Sequence, residues 1–251
     1  MKNTIFETEA IGKRYVAENH KDRIKRVLVV NSNCSYEEFC FDRNGRLIEY
    51  DDAFEKTIYS YRDDGKLDKI VWPDGDYALY EYNDEENSVK ETIYYPKFKF
   101  DDHVTITEFK FDDHDNEIYR KSYDLKKDVV SNVSEIWSHY DYKGKIIDMV
   151  DSNKNETSYI YDNNGNLIYT SSKNFSITNK YNESNRIINS VSIDYDKGET
   201  ITTTFKYYSD GDLFRSYNSD GEQSKYYYEF YDKEEAKWFI KNVQGNMQGL
   251  I

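Results

Sequence analysis

A short motif recurs along this chain and constrains its fold more than any other feature of the sequence. The motif is aromatic-x-aromatic-Asp-x-x-Gly-x-Leu, and its clearest copies occupy residues 39–47 and 159–167. Close relatives occupy 59–67 and 205–213, and residues 140–146 keep the second half of the motif. Repetition of this kind indicates a chain built from one small structural unit that is used many times.

Each copy of the motif predicts one β-hairpin. Aromatic residues at positions i and i+2 lie on one face of a strand, Asp-x-x-Gly supplies a turn in which glycine takes a positive φ, and leucine starts the returning strand. Second turns such as Pro73-Asp74-Gly75 lie between the copies. A single hairpin cannot bury its aromatic face, so the hairpins must pair or stack into a continuous sheet. We expect an all-β fold of consecutive antiparallel β-hairpin repeats over residues 27–231, arranged as a ribbon or solenoid sheet; the motif leaves open whether the ribbon is closed.

Aromatic rings are the main material for a core in this chain. Charged residues make up 33% of the sequence and apolar residues only 37%, a balance that favours disorder unless large rings are buried. The chain contains 26 Tyr, 13 Phe and 3 Trp. Each buried ring removes about 150–250 Å² from water. We therefore expect most tyrosines to pack in the core.

The two ends of the chain differ from the repeats. Residues 1–26 are predicted to be an N-terminal segment or cap. Near the other end, Asp232 has the form of a helix N-cap with Glu235 three residues later, and apolar residues follow. This pattern predicts a short helix over 233–242 within a C-terminal segment 232–251. Its expected role is to cap the repeat array, because terminal repeats need an atypical outer surface.

The repeat resembles the YD repeat of the RHS family. That signature is a Tyr-Asp pair, a glycine a few residues later and then an aliphatic residue, and residues 161–167 match it without a gap. The resemblance covers roughly residues 35–231. It implies β-ribbon spirals, which in the family often form shells that enclose a toxin within very large secreted proteins. Small acidic repeat proteins of this kind are also similar to immunity proteins encoded beside polymorphic toxins.

The net charge restricts the class of partner. Lys and Arg number 34 and Asp and Glu number 48, which gives a net charge of −14. A surface of that sign repels nucleic-acid backbones and anionic lipid, so neither nucleic acid nor membrane is an expected partner. It suits a basic protein, although it also suits the simple task of keeping an aromatic-rich chain in solution.

The sequence predicts a cytoplasmic protein. The longest purely aliphatic run, Val27–Val30, is far too short to cross a bilayer. Glu7 and Glu9 stand where a signal peptide needs an apolar segment. Cys34 and Cys40 lie close together in or beside one predicted strand, and we interpret them as reduced thiols.

No catalytic motif is recognisable in the sequence. GxSxG, P-loop and GxGxxG patterns are absent, and the four histidines fit no helical metal-ligand spacing. His103 and His114 each follow an Asp-Asp pair, but a predicted strand between them holds the two histidines over about 20 Å apart. We therefore predict no enzyme activity, no cofactor and no metal site.

One segment, residues 83–124, departs from the repeat, because its glycines vanish and acidic residues accumulate. Departures from a local rule tend to mark function, and aromatic anchors ringed by charge are typical of partner-binding surfaces. The alternative is an inserted segment that has merely lost its repeat. We predict a partner-binding patch formed by Tyr94, Tyr95, Phe98, Asp101, Asp102, Asp112 and Asp113.

These observations favour a non-enzymatic protein-binding protein. The most concrete hypothesis is an immunity protein that neutralises a cognate basic toxin domain by occlusion. Two alternatives stay open from the sequence: a carbohydrate-binding repeat module with exposed tyrosines, and a structural fragment of an RHS-type toxin shell.

Overall fold

The computed structural model describes residues 24–33, 35–52, 54–96 and 103–230. Within these ranges the chain consists of strands, turns and bends, and no helix occurs. The predicted helix over 233–242 and most of the predicted N-terminal segment lie outside the described residues. Eighteen strands follow one another in the order β1 (Ile24–Asn31), β2 (Tyr36–Phe41), β3 (Leu47–Asp51), β4 (Lys56–Tyr61), β5 (Leu67–Val71), β6 (Tyr77–Asn83), β7 (Ser88–Tyr94), β8 (His103–Phe111), β9 (Glu117–Lys126), β10 (Val129–Tyr140), β11 (Ile146–Asp151), β12 (Glu156–Tyr161), β13 (Leu167–Ser171), β14 (Phe175–Tyr181), β15 (Ile187–Asp194), β16 (Glu199–Tyr207), β17 (Leu213–Asn218) and β18 (Gln223–Phe230).

The described strands fall into two compact units. Of the described residues, one unit contains those from 60 to 202, and the other contains those from 24 to 59 and from 203 to 230. In each unit, strands that are neighbours in sequence pair antiparallel, as β8 does with β9 and β2 with β3. The antiparallel hairpins that the motif predicts are therefore present.

The first and the last described strands pair with each other. Strand β1 pairs with β2 through Val27 and Phe39 and with β18 through Val27 and Tyr228. The expectation of a ribbon or solenoid is therefore wrong, because the last described strand pairs with the first; the capping helix of that expectation lies outside the described residues. An open array would leave one edge of β1 and one edge of β18 with unpaired backbone groups, and their mutual pairing satisfies both.

The motif turns share one hydrogen-bonding pattern. In the copy at 162–166, the N–H of Asp162 donates to the carbonyl of Asn166 at 2.9 Å, and the N–H of Gly165 donates back to the carbonyl of Asp162 at 3.0 Å. Asp162 Oδ1 also accepts from the N–H groups of Asn164 and Asn166 at 2.9 and 2.8 Å. Gly165 has φ +86°, a conformation that glycine adopts without steric cost. The Asp of the motif is thus a structural turn residue.

Buried apolar side chains are concentrated in part of the sheet. Phe39, Phe41 and Leu47 are buried in one unit, and Leu67 and Val89 are buried in the other. Within the described part of β9 to β15, the buried side chains are only small polar ones, Ser138, Thr170 and Ser176. Burial of a side chain such as Leu67 stabilises the fold by about 1.5–3 kcal/mol.

Most described tyrosines are half-buried, and the buried ones are Tyr59, Tyr80, Tyr226 and Tyr228. Four described tyrosines are therefore fully buried, and most of the others are partly exposed. In several tyrosines, the side-chain hydroxyl donates a hydrogen bond to the backbone carbonyl of the first residue of the preceding strand. We call this contact a tyrosine tie. These ties are Tyr82 to Leu67, Tyr140 to Glu117, Tyr181 to Leu167 and Tyr228 to Leu213, at 2.8–2.9 Å.

Candidate functional site

The structure separates the residues of the predicted partner-binding patch. Tyr94 ends β7 and Tyr95 follows it, whereas Asp112 and Asp113 lie in the turn after β8. Phe98, Asp101 and Asp102 lie outside the described residues. Strand β8 has nine residues, so its two ends are about 26 Å apart. The described aromatic and acidic members of the patch therefore lie at opposite ends of neighbouring strands.

The aromatic members pack against neighbours rather than standing alone. The ring of Tyr94 stacks on Tyr77 with centroids 4.9 Å apart, and the ring of Tyr95 stacks on His103 at 5.3 Å. The Tyr95 hydroxyl and Thr105 Oγ1 lie 3.0 Å apart in a hydrogen bond. Each stacked pair adds about 0.5–1.5 kcal/mol beyond the area that it buries. These tyrosines therefore have a structural role at this end of the strands.

A polar cluster around Asp124 continues from Tyr95. Asp124 accepts hydrogen bonds from Asn132 Nδ2 at 2.6 Å and from Thr105 Oγ1 at 2.8 Å, and His103 Nε2 lies 3.4 Å from the same carboxylate. The hydrogen bond from Asn132, followed by that from Thr105, holds the pKa of Asp124 below its usual value. The cluster joins β8, β9 and β10. Sequence reasoning missed Asp124 because its partners come from two other strands, β8 and β10.

The acidic members belong to a repeat turn that has no glycine. Asp112 Oδ1 accepts from the N–H groups of His114 and Asn116 at 2.8 and 2.9 Å, and Asn116 Nδ2 donates to Asp112 Oδ2 at 2.8 Å. Asp115 takes the glycine position with φ +64°. Desolvation favours a higher pKa for Asp112, but the hydrogen bonds from Asn116 and His114 outweigh it and lower the pKa. The repeat therefore continues through residues 112–116.

Three neighbouring turns bring many carboxylates together. Lys66 Nζ contacts Asp84 Oδ1 at 2.8 Å, and Asn87 Nδ2 donates to the carbonyls of Phe111 and Asp112 at 3.1 and 2.7 Å. These contacts join the turns 62–66, 84–87 and 112–116, which we call the acidic turn cluster. Its charged side chains are the cations Arg62 and Lys66 and the acids Asp63, Asp64, Asp84, Glu85, Glu86, Asp112, Asp113 and Asp115.

Two acids of the acidic turn cluster, Asp84 and Asp112, have lowered pKa values. The hydrogen bond from Lys66 and its positive charge lower the pKa of Asp84, and the pKa of Asp112 is also lowered. Asp63, Asp64, Glu85, Glu86 and Asp113 are exposed. Two cations against eight acids leave an excess of six negative charges (2 − 8 = −6). Sequence reasoning placed the acids of 84–86 in the same segment, 83–124, as Asp112 and Asp113, but it did not connect either group with the turn 62–66.

Other kinds of site find little support in the described ranges. No group of three or more His, Cys, Asp or Glu side chains there is arranged to hold a metal ion. Among the same residues, no helix is long and apolar enough to span a membrane. Cys40, in β2, is a free thiol, and Cys34 lies outside the described residues.

Comparison with known proteins gives only a distant likeness. No protein-family model matches the chain, and no curated protein matches it. Solved structures similar to it include the TcdB2-TccC3-TEV crystal structure, with 11% identity over 73% of this chain and a TM-score of 0.26. A Photorhabdus luminescens Tc holotoxin pore has 12% identity over 72% of this chain and a TM-score of 0.30. The chain spans 12% of the length of each of these two toxin chains.

Proposed function

We propose that this chain is a non-enzymatic binding protein whose acidic turn cluster receives a basic surface of another protein. The most concrete form of the proposal is an immunity protein that occludes a cognate toxin. One observation carries it: eight carboxylates and only two cations lie on three turns that are joined by direct contacts. The net charge of −14 of the whole chain also favours a positively charged partner.

The acidic turn cluster suits fast recognition because its backbone is held while its charged tips are exposed. Asp112 fixes one turn through three hydrogen bonds, and Asp113 projects from that turn into solvent. A preorganised field of one sign raises association rates with a partner of opposite sign and selects against partners of like sign. The expected contribution is therefore mainly to the association rate.

The aromatic end of the strands is a separate proposal. Tyr94 and Tyr95 lie about 26 Å from Asp112 along β8, so one small contact cannot cover both. We propose a second contact with a larger partner, formed by Tyr94, Tyr95, Phe98, Asp101 and Asp102.

The test compares two triple charge reversals. One variant carries Asp63→Lys, Glu85→Lys and Asp113→Lys, and its control carries Glu156→Lys, Asp196→Lys and Glu199→Lys; all six acids are exposed. The partner probe is the C-terminal domain of the protein encoded by the gene immediately upstream, tested as the candidate toxin domain and produced alone and with each variant in bacterial cells. Growth and the association rate at low salt are measured, with a melting curve for each variant.

We expect the wild type and the control to restore growth. The cluster variant should bind at least about tenfold more slowly at low salt, and the difference should shrink as salt is added. Equal association rates for the two folded triple variants would place the contact elsewhere on the protein. A wild-type protein that neither binds the toxin domain nor restores growth would remove the immunity proposal.

A structural fragment of an RHS-type shell is the second candidate, and the sequence motif supports it. A ribbon that continues into further repeats needs a free strand edge for the next repeat. Here the pairing of β1 with β2 and β18 occupies both of its edges. This closure favours the binding role over the shell role.

A further inference from the structure

Two asparagines of this chain, Asn44 and Asn164, are followed directly by glycine. An asparagine in this context cyclises readily, because glycine has no side chain to hinder the attack of its backbone nitrogen on the amide carbon of the asparagine. Both pairs lie in motif turns, at 42–46 and 162–166, and both asparagines are exposed. The repeat therefore places a chemically labile pair at the tip of two hairpins.

The two turns hold the reacting atoms in the same way. The N–H of Gly45 donates to the carbonyl of Asp42, and the N–H of Gly165 donates to the carbonyl of Asp162, at 3.0 Å in both turns. In each turn the N–H of the asparagine donates to Oδ1 of that same Asp, at 2.8 and 2.9 Å. Hydrogen bonding within the turns therefore predicts similar reactivity at the two sites.

The surroundings of the two glycines differ. Gly45 is buried, whereas Gly165 is half-buried. At Gly165, the Nζ of Lys145 lies where the Cβ of a larger residue would begin. That place is two covalent bonds from the backbone nitrogen of Gly165, so the ammonium lies within about 5 Å of the nitrogen that would attack.

Lys145 is held beside Gly165 by its own hairpin turn, which follows β10. Its N–H donates to Asp141 Oδ1 at 2.9 Å, and its carbonyl accepts from the N–H of Asp141 at 2.8 Å. The ammonium lies over the ring of Tyr161, 4.8 Å from the ring centroid. These contacts keep a positive charge next to the attacking nitrogen.

We propose that Asn164 is a site of spontaneous deamidation and that Lys145 accelerates the reaction in the folded protein. The Gly165 nitrogen loses its proton to hydroxide or water and bonds to Cγ of Asn164, and the side-chain nitrogen takes a proton from water and leaves as ammonia. Water then opens the resulting succinimide at one of its two carbonyls, which leaves aspartate or isoaspartate. Negative charge develops in the first step, so a cation within about 5 Å stabilises its transition state.

Deamidation changes both the charge and the backbone of this turn. Either product adds one carboxylate at position 164. In isoaspartate the main chain runs through Cβ and Cγ, which adds one atom to the path between Asp162 and Asn166. The N–H of Asp162 donates to the carbonyl of Asn166 at 2.9 Å across that path, and the longer path misaligns this bond. The isoaspartate form should therefore unfold at a lower urea concentration than the unmodified protein.

The test follows deamidation at each site by peptide mass spectrometry of protein kept at pH 8. The rate in the folded protein is divided by the rate in urea, which removes the effect of the flanking sequence. This ratio should be at least about threefold higher for Asn164 than for Asn44, because Gly165 is less buried and lies beside a cation. A ratio for Asn164 no higher than that for Asn44 would contradict the proposal.

Variants of the lysine isolate the effect of its charge. Lys145→Gln should slow the reaction at Asn164 at least about threefold in the folded protein and leave it unchanged in urea. Lys145→Arg keeps the charge and should retain the wild-type rate. The matched control is Lys143→Gln in the same turn, since Lys143 is exposed and its Nζ lies over the Tyr142 ring.

The control should leave the rate at Asn164 unchanged, and a melting curve checks that each variant is folded. In the wild type, about 1 M salt should also slow the folded reaction by screening the charge, so the effect can be measured without a variant. Equal rates in folded wild type and folded Lys145→Gln, or equal slowing by Lys143→Gln, would overturn the proposal. If Lys145→Gln does not fold, a wild-type rate that salt leaves unchanged would overturn it.

Discussion

The Tyr181 hydroxyl donates a hydrogen bond of 2.9 Å to the backbone carbonyl of Leu167. Leu167 is the first residue of β13 and Tyr181 is the last residue of β14, so the contact joins the ends of two paired strands. The same relationship joins Tyr82 to Leu67 in an earlier repeat. A tyrosine of the repeat therefore stabilises the sheet through its hydroxyl as well as through its ring.

The first prediction concerns this tie. Tyr181→Phe should lower the free energy of unfolding by about 0.5–1.5 kcal/mol, because it removes one hydrogen bond and keeps the ring. Asn179 Nδ2 also donates to the Leu167 carbonyl at 3.0 Å, so adding Asn179→Ala should cause a further loss. The control is Tyr142→Phe, since Tyr142 is 91% exposed. Urea unfolding measures all four proteins, and a Tyr181→Phe variant as stable as the control would contradict the role of the tie.

The second prediction concerns the turn position that glycine usually occupies. Gly75 has φ +92° and open space around it, so the Cβ of Gly75→Ala meets no neighbouring atom. The free energy of unfolding should still fall by about 1 kcal/mol, because alanine is strained at this positive φ. Lys154 holds the same turn position with φ +64°. Lys154→Gly should therefore leave stability unchanged or raise it by up to about 1 kcal/mol. The urea midpoint should fall for Gly75→Ala and should stay unchanged or rise for Lys154→Gly. Equal decreases in the two midpoints would contradict this prediction.

The third prediction concerns the ion pairs where β18 meets β1. Glu229 is buried and accepts from Lys25 Nζ at 2.7 Å and from the Arg26 guanidinium at 2.6 and 2.9 Å. Burial favours a higher pKa for Glu229, but the hydrogen bonds and charges of Lys25 and Arg26 lower it below 4.5. This carboxylate therefore stabilises the folded state above pH 4.5, and the stabilisation is lost as the pH falls through the depressed pKa.

Glu229→Gln tests the contribution of these ion pairs to stability. At pH 7 the free energy of unfolding of the variant should be lower by about 1.5–3 kcal/mol, because hydrogen bonds to a charged group are removed. Below pH 4.5 the difference from wild type should shrink, since the wild-type carboxyl then becomes protonated. Glu38→Gln is a matched control, because Glu38 meets Arg26 through one bond of 2.7 Å and is more exposed. A stability difference that does not change with pH would show that the charge of Glu229 is not the cause.

The fourth prediction concerns the thiol of Cys40. Desolvation, followed by the charges of Glu38 and Glu49, raises the pKa of Cys40 to about 11. Only the thiolate reacts with alkylating reagents. In a Cys34→Ser background at pH 8, Cys40 should react with iodoacetamide about a hundredfold more slowly in the folded protein than in urea. Equal rates in the two states would contradict a suppressed thiolate.

The local elements of this fold were predictable because their causes are local. Asp-x-x-Gly makes its turn through bonds within five residues, as in 162–166, and alternating aromatics favour the strands on either side. Turns without glycine carry a different local signal. In 112–116 and 151–155 the recognisable signal is Asp followed four residues later by Asn, whose amide donates to the Asp carboxylate at 2.8 Å in both turns.

The candidate site was only partly predictable for a related reason. Asp112 and Asp113 were identified by their acidity, but their neighbours at 62–66 and 84–87 come from turns tens of residues away. The Lys66–Asp84 and Asn87–Asp112 contacts exist only after the strands pair. The same pairing separates Tyr94 and Tyr95 from those acids by the length of β8.

The sequence by itself determined the hairpins, their turns and the sign of the surface charge, because short-range hydrogen bonds and composition decide those properties. Tertiary structure alone decided that β18 pairs with β1 and that Glu229 meets Arg26, residues 203 positions apart in the chain. The physical reason is that strand pairing joins backbone groups irrespective of their distance in sequence, so partners far apart in the chain leave no local pattern.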